Sequence, residues 1–309
     1  MRRSTSLHQL NADRRLSTIA KAAYVTLNWF NNRLPFAFRD PALTIRDFAC
    51  PDLATAWRDV PPVASPSRAL SDLFWQTLPW TAIREELGDI HIFDVGCGSG
   101  NHGPRLFAWA NNQIASYTGT DARRRDQWPA LEAGDARLRF SVSHAQNVRG
   151  IIPAGTNMFM SQSALEHFDE DLGFFEQLRD YVRATHGPIL QVHLMPSAAC
   201  LRLYRLHGVR QYTPRTLSKI TRLFEPDAYA VLYRLGGQAC NRLHYEFITR
   251  PLLIRRTGDR RSEQPEEYNR RLFDAIADDM RHPQPSPDFY ALVIHSHPLR
   301  RVFDGSQRL

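Results

Sequence analysis

Residues 90–103 read IHIFDVGCGSGNHG. A short apolar run ends at Asp94, glycines follow at Gly96, Gly98 and Gly100, and a helix is predicted to begin near Pro104. Glycine lets a backbone turn sharply and lets a ligand approach with no Cβ in the way. The free N–H groups at the start of the next helix favour electron-rich atoms. Strand, glycine bend and helix in that order form a turn that seats a nucleotide cofactor. Asp94, Gly96, Cys97, Gly98 and Gly100 are therefore candidate cofactor contacts, with Cys97 better suited to fill a small gap than to react.

The next strand closes the argument. In YTGTDAR (117–123), Asp121 ends a predicted strand 21 residues after Gly100, and Ala122 follows it. A carboxylate there can accept charge-assisted hydrogen bonds from both hydroxyls of a ribose. Further strands are predicted near 137–142, 156–161 and 188–194, with a helix over 171–184 whose Leu172, Phe175, Leu178 and Val182 share one face and whose start Asp169 and Asp171 can cap. Strand and helix in alternation imply a parallel sheet covered on both faces. Beyond residue 200 come a helix opening at Thr213 and Pro214, the strand-like AYAVLYRLG (228–236), an amphipathic helix carrying Tyr268, Leu272, Ile276 and Met280, and a buried-type strand at 289–296.

Residues 1–60 read as a partly helical extension, and the Pro-rich DVPPVASPSR (59–68) reads as linker or loop. Within the extension, Ala20, Ala23, Leu27 and Phe30 recur at helical spacing, with Trp29 alongside, and predict an amphipathic helix that packs on its own domain. The apolar stretch 22–32 is far shorter than the roughly 20 residues a spanning helix needs, and residues 4–18 are too polar for a secretory leader.

The chain has 309 residues, 43% hydrophobic and 23% charged, which is globular composition and excludes general disorder. Its formal net charge is +7; only Lys21 and Lys219 are lysine, so 37 of 39 basic residues are arginine. Because the arginines are scattered, no basic stripe for nucleic acid stands out, although their fork geometry suits phosphate-bearing or acidic substrates. Four cysteines lie far apart without a C-x-x-C pair, which suggests neither a disulfide framework nor a thiolate metal site; no metal ligand set is assigned, and a cytoplasmic location is expected.

Gly98, Gly100 and Gly103 formally satisfy the dinucleotide fingerprint G-x-G-x-x-G, so a nicotinamide enzyme has to be weighed. In that fingerprint no acid precedes the first glycine, whereas Asp94 lies two residues before Gly96. The order D-V-G-C-G-S-G instead resembles motif I of class I S-adenosylmethionine-dependent methyltransferases. RFSVSHAQNV (139–148) resembles that family's third strand and turn, with His144 where an acid is frequent; TNMFMSQSALEHF (156–168) resembles the fourth strand with its S-x-L-E-H ending; GPILQVHLMP (187–196) and HGVRQYTPRTL (207–217) resemble the elements after it. The likeness covers about residues 88–235 and the last strand.

The resemblance implies a Rossmann-like α/β fold: a seven-stranded, mostly parallel sheet with an antiparallel last strand, helices on both faces and the N-terminal helical extension. It implies a methyltransferase domain over 61–309 with an insertion or lid at about 236–286. S-adenosyl-L-methionine would be held by Asp94 near its amino group, Gly96 and Gly98 under the methionine part, and Asp121 on the ribose. His144, Ala145 and Gln146 would lie by the adenine, and Ser161 at the end of the fourth strand. Methyl transfer would be an in-line displacement on a hydroxyl of a small-molecule or glycan-type acceptor, with His167 and His193 as candidate bases and Glu166 as an orienting partner. Each histidine also suits a plain hydrogen bond to loop backbone. An RNA or other macromolecule methyltransferase, and a catalytically silent cofactor-binding protein, are the alternative readings. The absence of [DN]-P-P-[YF] after the fourth strand disfavours methylation of base amines.

Overall fold

The computed structural model describes residues 3–34, 40–283 and 285–303. Its strands are β1 (Leu43–Asp47), β2 (Ile90–Val95), β3 (Ile114–Asp121), β4 (Leu138–Val142), β5 (Met158–Gln162), β6 (Ile189–Pro196), β7 (Ala228–Leu235) and β8 (Phe289–Ser296). Its helices are α1 (Thr18–Arg33), α2 (Leu53–Ala56), α3 (Pro66–Gln76), α4 (Trp80–Leu87), α5 (His102–Trp109), α6 (Trp128–Gly134) and α7 (Asp171–Ala184). There follow α8 (Cys200–Tyr204), α9 (Pro214–Thr221), α10 (Gln238–His244), α11 (Arg260–Glu263) and α12 (Pro265–Arg281). A π-helical stretch, Tyr245–Arg255, continues α10.

Among the described residues the strands form one eight-stranded sheet in the order β1-β7-β8-β6-β5-β2-β3-β4. All neighbours are parallel except β8, which runs antiparallel to both β6 and β7. The central strands are apolar on both sides because both faces are covered. Along β2 and β5, Ile92, Met158 and Met160 enter the core under α3, α5, α10 and α12, while Phe93 and Phe159 enter the core under α7 and α9. Phe174, Phe175, Leu178 and Val182 are the buried face of α7. A capping box between Thr213 and Thr216, with Pro214 at the first helical position, starts α9.

The expected seven strands are present, and β1, from within the 1–60 stretch, adds an eighth beside β7. Residues 59–68 are no free linker: Val63 N–H donates to Asn269 Oδ1 at 2.9 Å and Tyr268 Oη–H to the Ala64 carbonyl at 2.6 Å, so α12 clamps them. In α1 the face that packs inward is polar, not apolar. Tyr24, Asn28 and Asn31 are buried while Leu27, Trp29 and Phe30 are exposed. The reason is that Tyr24 Oη–H and Asn28 Nδ2–H satisfy the carbonyls of His207 and Val209, at 2.7 and 3.2 Å, in a loop that lacks strand partners there.

Asp169 does not cap α7, whose N-cap is Glu170 without a side-chain bond, and Asp171, one residue inside, meets the helix start only through Leu172 N–H at 3.0 Å. The Asp171 carboxylate is instead fully buried, accepting from Thr5 N–H at 2.8 Å and Tyr212 Oη–H at 3.0 Å and lying 3.5 Å from Arg210 Nη1. Arg210 is 1% exposed and donates to the carbonyls of Leu165, Phe168 and Asp169 and to Ser4 Oγ. It therefore ties the N-terminal segment to the turn after β5.

Candidate functional site

The chain runs from β2 outward through β3 and β4, then returns to β5 on the other side of β2. Such a reversal opens a crevice beyond the carboxyl ends of the strands, where open α/β sheets bind ligands. A cavity of about 730 Å³ lies there. Val95, Gly96 and Gly98 line it from the bend after β2, Asp121 and Ala122 from the end of β3, and His144, Ala145 and Gln146 from the turn after β4. Ala164, His167 and Phe168 line it from the turn after β5. Asn11, Asp13 and Arg14 complete the wall from the N-terminal segment.

The bend is fixed from several sides. Gly96 adopts φ +86°, and a Cβ there would stand 2.4 Å from Ala164 Cβ, a distance that leaves room only for glycine. At Gly98, φ +54°, a Cβ would meet nothing within 4 Å, so the backbone is bare toward open space. Its N–H donates to Asp121 Oδ2 at 3.1 Å, and its carbonyl accepts from Trp128 Nε1–H at 3.0 Å. Trp128 stacks on Phe140 with centroids 5.3 Å apart, and Phe140 in turn packs where a Gly100 side chain would be. Asp121 thus faces the bend; its Oδ1 accepts from Arg123 N–H at 3.0 Å and lies 3.3 Å from Arg125 Nη2.

Asp94 is buried at the end of β2, just before the cavity-lining Val95 and Gly96. Its Oδ2 accepts from Tyr117 Oη–H at 2.5 Å, and its Oδ1 has no partner among the described residues. Burial, with repulsion from Asp121 added, pushes its pKa from 3.8 up to about 7. The native state then holds this proton more tightly than the unfolded chain does. The resulting stabilisation is complete below pH 3.8 and is lost as the pH climbs through about 7. Asp94→Asn should flatten the stability profile across that window and be more stable than the parent above it. Thermal melts over the window check this, and parallel profiles for the two proteins would contradict it.

Several predicted contacts lie elsewhere. Cys97 and Gly100 support the bend from beneath instead of facing the cavity, and burial pushes the Cys97 thiol far above its ordinary range. Ser161 points into the core, its Oγ 2.8 Å from His193 Nδ1. His193 is fully buried between Phe174 and Phe175, and burial lowers its pKa to about 3. Its position on an inner strand face keeps it out of reach of a ligand, so of the two histidines only His167 lines the cavity. The partner of His167 is not Glu166 but Asp13, whose Oδ2 lies 2.6 Å from His167 Nδ1. Glu166 faces His207 instead, Oε1 to Nε2 at 3.8 Å, and this carboxylate raises the His207 pKa.

Asp13 and His207 are the site residues that sequence reasoning misses; Asp13 sits in a polar segment without periodicity, and His207 is visible only as the start of the 207–217 element. A second, larger cavity of about 1230 Å³ adjoins in sequence: Leu206 lines it, and the next residue, His207, meets the His167 ring edge-on at 4.7 Å. Its walls come from α1, α8 and the 241–254 stretch, and among the described residues they carry Lys21, Arg33, Arg202 and Arg205 but no acid. No helix among the described residues is long and apolar enough to cross a membrane.

No protein-family model matches the chain, and no curated protein sequence matches it. Solved structures do. The plantazolicin methyltransferase BamL, in complex with a triazolic desmethylPZN analog and SAH, is 12% identical with a TM-score of 0.44, the match covering 90% of this chain and 96% of that one. A putative sarcosine dimethylglycine methyltransferase from Galdieria sulphuraria is 15% identical with a TM-score of 0.42, covering 70% and 82%. A SAM dependent methyltransferase from Archaeoglobus fulgidus is 18% identical with a TM-score of 0.41, covering 72% and 94%. In strand order, in its one antiparallel strand and in the place of its crevice, the chain has a Rossmann-like α/β fold, with β1 as an added edge.

Proposed function

We propose that the chain is an S-adenosylmethionine-dependent methyltransferase acting on a hydroxyl of a small-molecule or glycan-type acceptor. The observation that carries this reading is the convergence of Gly96, Gly98 and Asp121 on one cavity at the sheet's reversal point. The residues present suit the cofactor. The bare Gly98 backbone gives close approach and Asp121 can accept from ribose hydroxyls, while Asp94, buried behind Val95 and Gly96, lies outside the cavity lining. Ala145 and Gln146 would flank the adenine.

When bound, the cofactor supplies a methyl group already activated by positive sulfur. The protein's share is to hold the acceptor in line and keep water away. His167, oriented by Asp13, is the group on the cavity wall that would take the acceptor's proton. The acceptor would lie in the larger cavity, where apolar Val25, Trp29 and Leu206 beside Lys21, Arg33, Arg202 and Arg205 suit an apolar body bearing an anionic group.

Calorimetric titration with S-adenosylmethionine, S-adenosylhomocysteine and NAD tests the cofactor. Heat from the first two and none from NAD is expected; the reverse would remove the assignment. Asp121→Asn should weaken S-adenosylhomocysteine binding by about ten- to hundred-fold, the worth of one charge-assisted hydrogen bond. The same titration measures it, with a melting curve to show that the variant is folded.

A further inference from the structure

Glu166, His167 and His207 bring one ligating atom each to within 4.8 Å of the others. Glu166 is 1% exposed, and its Oε2 has no hydrogen-bond partner among the described residues. A buried carboxylate oxygen left without a donor is costly unless something charged covers it. His167 Nδ1 is taken by Asp13, which leaves Nε2 as its free ligating nitrogen. A histidine whose far nitrogen is held by a carboxylate is the usual arrangement behind a metal ion.

The cluster is also built rather than fortuitous. Val209 N–H donates to the Glu166 carbonyl at 2.7 Å, and a Cβ on Gly208, at φ +59°, would stand 2.5 Å from that same carbonyl. Ala12 N–H donates to the Gly208 carbonyl at 2.8 Å, and Gly208 N–H to Asp13 Oδ1 at 3.1 Å. Tyr24 Oη–H holds the His207 carbonyl at 2.7 Å. Three distant stretches of chain are thereby laced together around the three ligating side chains.

We propose that Glu166, His167 and His207 bind one divalent transition-metal ion of the zinc type, with Asp13 as the residue that positions His167. Two imidazoles and one carboxylate favour such ions over Mg²⁺ or Ca²⁺, which prefer oxygen donors. Three protein ligands leave a coordination position open, and His167 sets the ion at the wall of the cavity. With the ion in place, His167 would serve as its ligand in place of acting as the base, and the ion would acidify a bound acceptor hydroxyl, whose proton would pass to solvent before the oxygen bonds the methyl carbon and the carbon–sulfur bond breaks. That last role rests on the methyltransferase reading; ion binding itself does not.

The test uses the full chain, freed of metal with a chelator. It is titrated with Zn²⁺ by calorimetry and with Co²⁺ by visible absorption, alongside a separate titration with S-adenosylhomocysteine. Saturable binding of one Zn²⁺ per chain is expected, with cobalt d–d bands in the same stoichiometry. Glu166→Gln and His207→Ala should each weaken Zn²⁺ by more than about ten-fold while their affinity for S-adenosylhomocysteine stays at the parent value, and Asp13→Asn should weaken Zn²⁺ by about ten- to hundred-fold. Melting curves without metal establish that the variants fold, and Glu166→Gln, the near-isosteric change, carries the test if His207→Ala does not. No saturable binding, or undiminished binding in the folded variants, would overturn the ion site. Loss of nucleoside binding in the parent would instead count against the methyltransferase reading alone.

Discussion

Arg210→Ala should lower the unfolding free energy by about 3–5 kcal/mol, the usual penalty for stripping one partner from a buried ion pair. Both Arg210 and Asp171 have side chains that are 0% exposed, so water cannot replace the lost guanidinium. The same change removes the guanidinium donors from the carbonyls of Phe168 and Asp169, while Leu165 O keeps the Tyr212 hydroxyl. Denaturant unfolding of parent and variant checks the figure. A loss below about 1 kcal/mol would mean that the pair carries no more than an exposed salt bridge does.

His167→Ala should cut turnover by about 10²–10⁴-fold, the range for losing the group that activates the acceptor hydroxyl, as its base or as the ligand of an ion that binds it, and leave S-adenosylhomocysteine affinity unchanged. The separation follows from the geometry: His167 stands on the turn after β5, whereas the glycine bend and Asp121 belong to β2 and β3. Single-turnover assays with an acceptor, paired with calorimetry, measure both quantities. Unchanged turnover would take His167 out of the chemistry, and lost nucleoside affinity would relocate it to the cofactor side.

The central sheet is readable in the sequence because its signals are local. A strand, a glycine bend and an acid at the end of the following strand lie within residues 90–121, and each strand there is an apolar run with turn residues at its ends. The α12 periodicity is equally plain, since Tyr268, Leu272 and Ile276 are all buried. The features that escape sequence reasoning depend on long-range pairing. β1 is hidden because five residues, LTIRD, acquire strand character only beside β7. The inward face of α1 is the reverse of the expected one because its polar residues are buried by loop carbonyls almost two hundred residues away in the chain. His193 resembles a catalytic group because a histidine near a strand end can face either the crevice or the core, and one residue of register separates the two.

The same dependence applies to the sheet's margin. β1 hydrogen-bonds along β7 from Leu43↔Ala230 to Asp47↔Arg234, and β7 holds Val231, Leu232 and Leu235 in the interior. A shortened chain begun near residue 60, where composition alone would place the border, would leave that long apolar strand with a bare row of amides and carbonyls. Bare rows of this kind recruit one another between molecules, so expression boundaries for this protein belong upstream of Leu43.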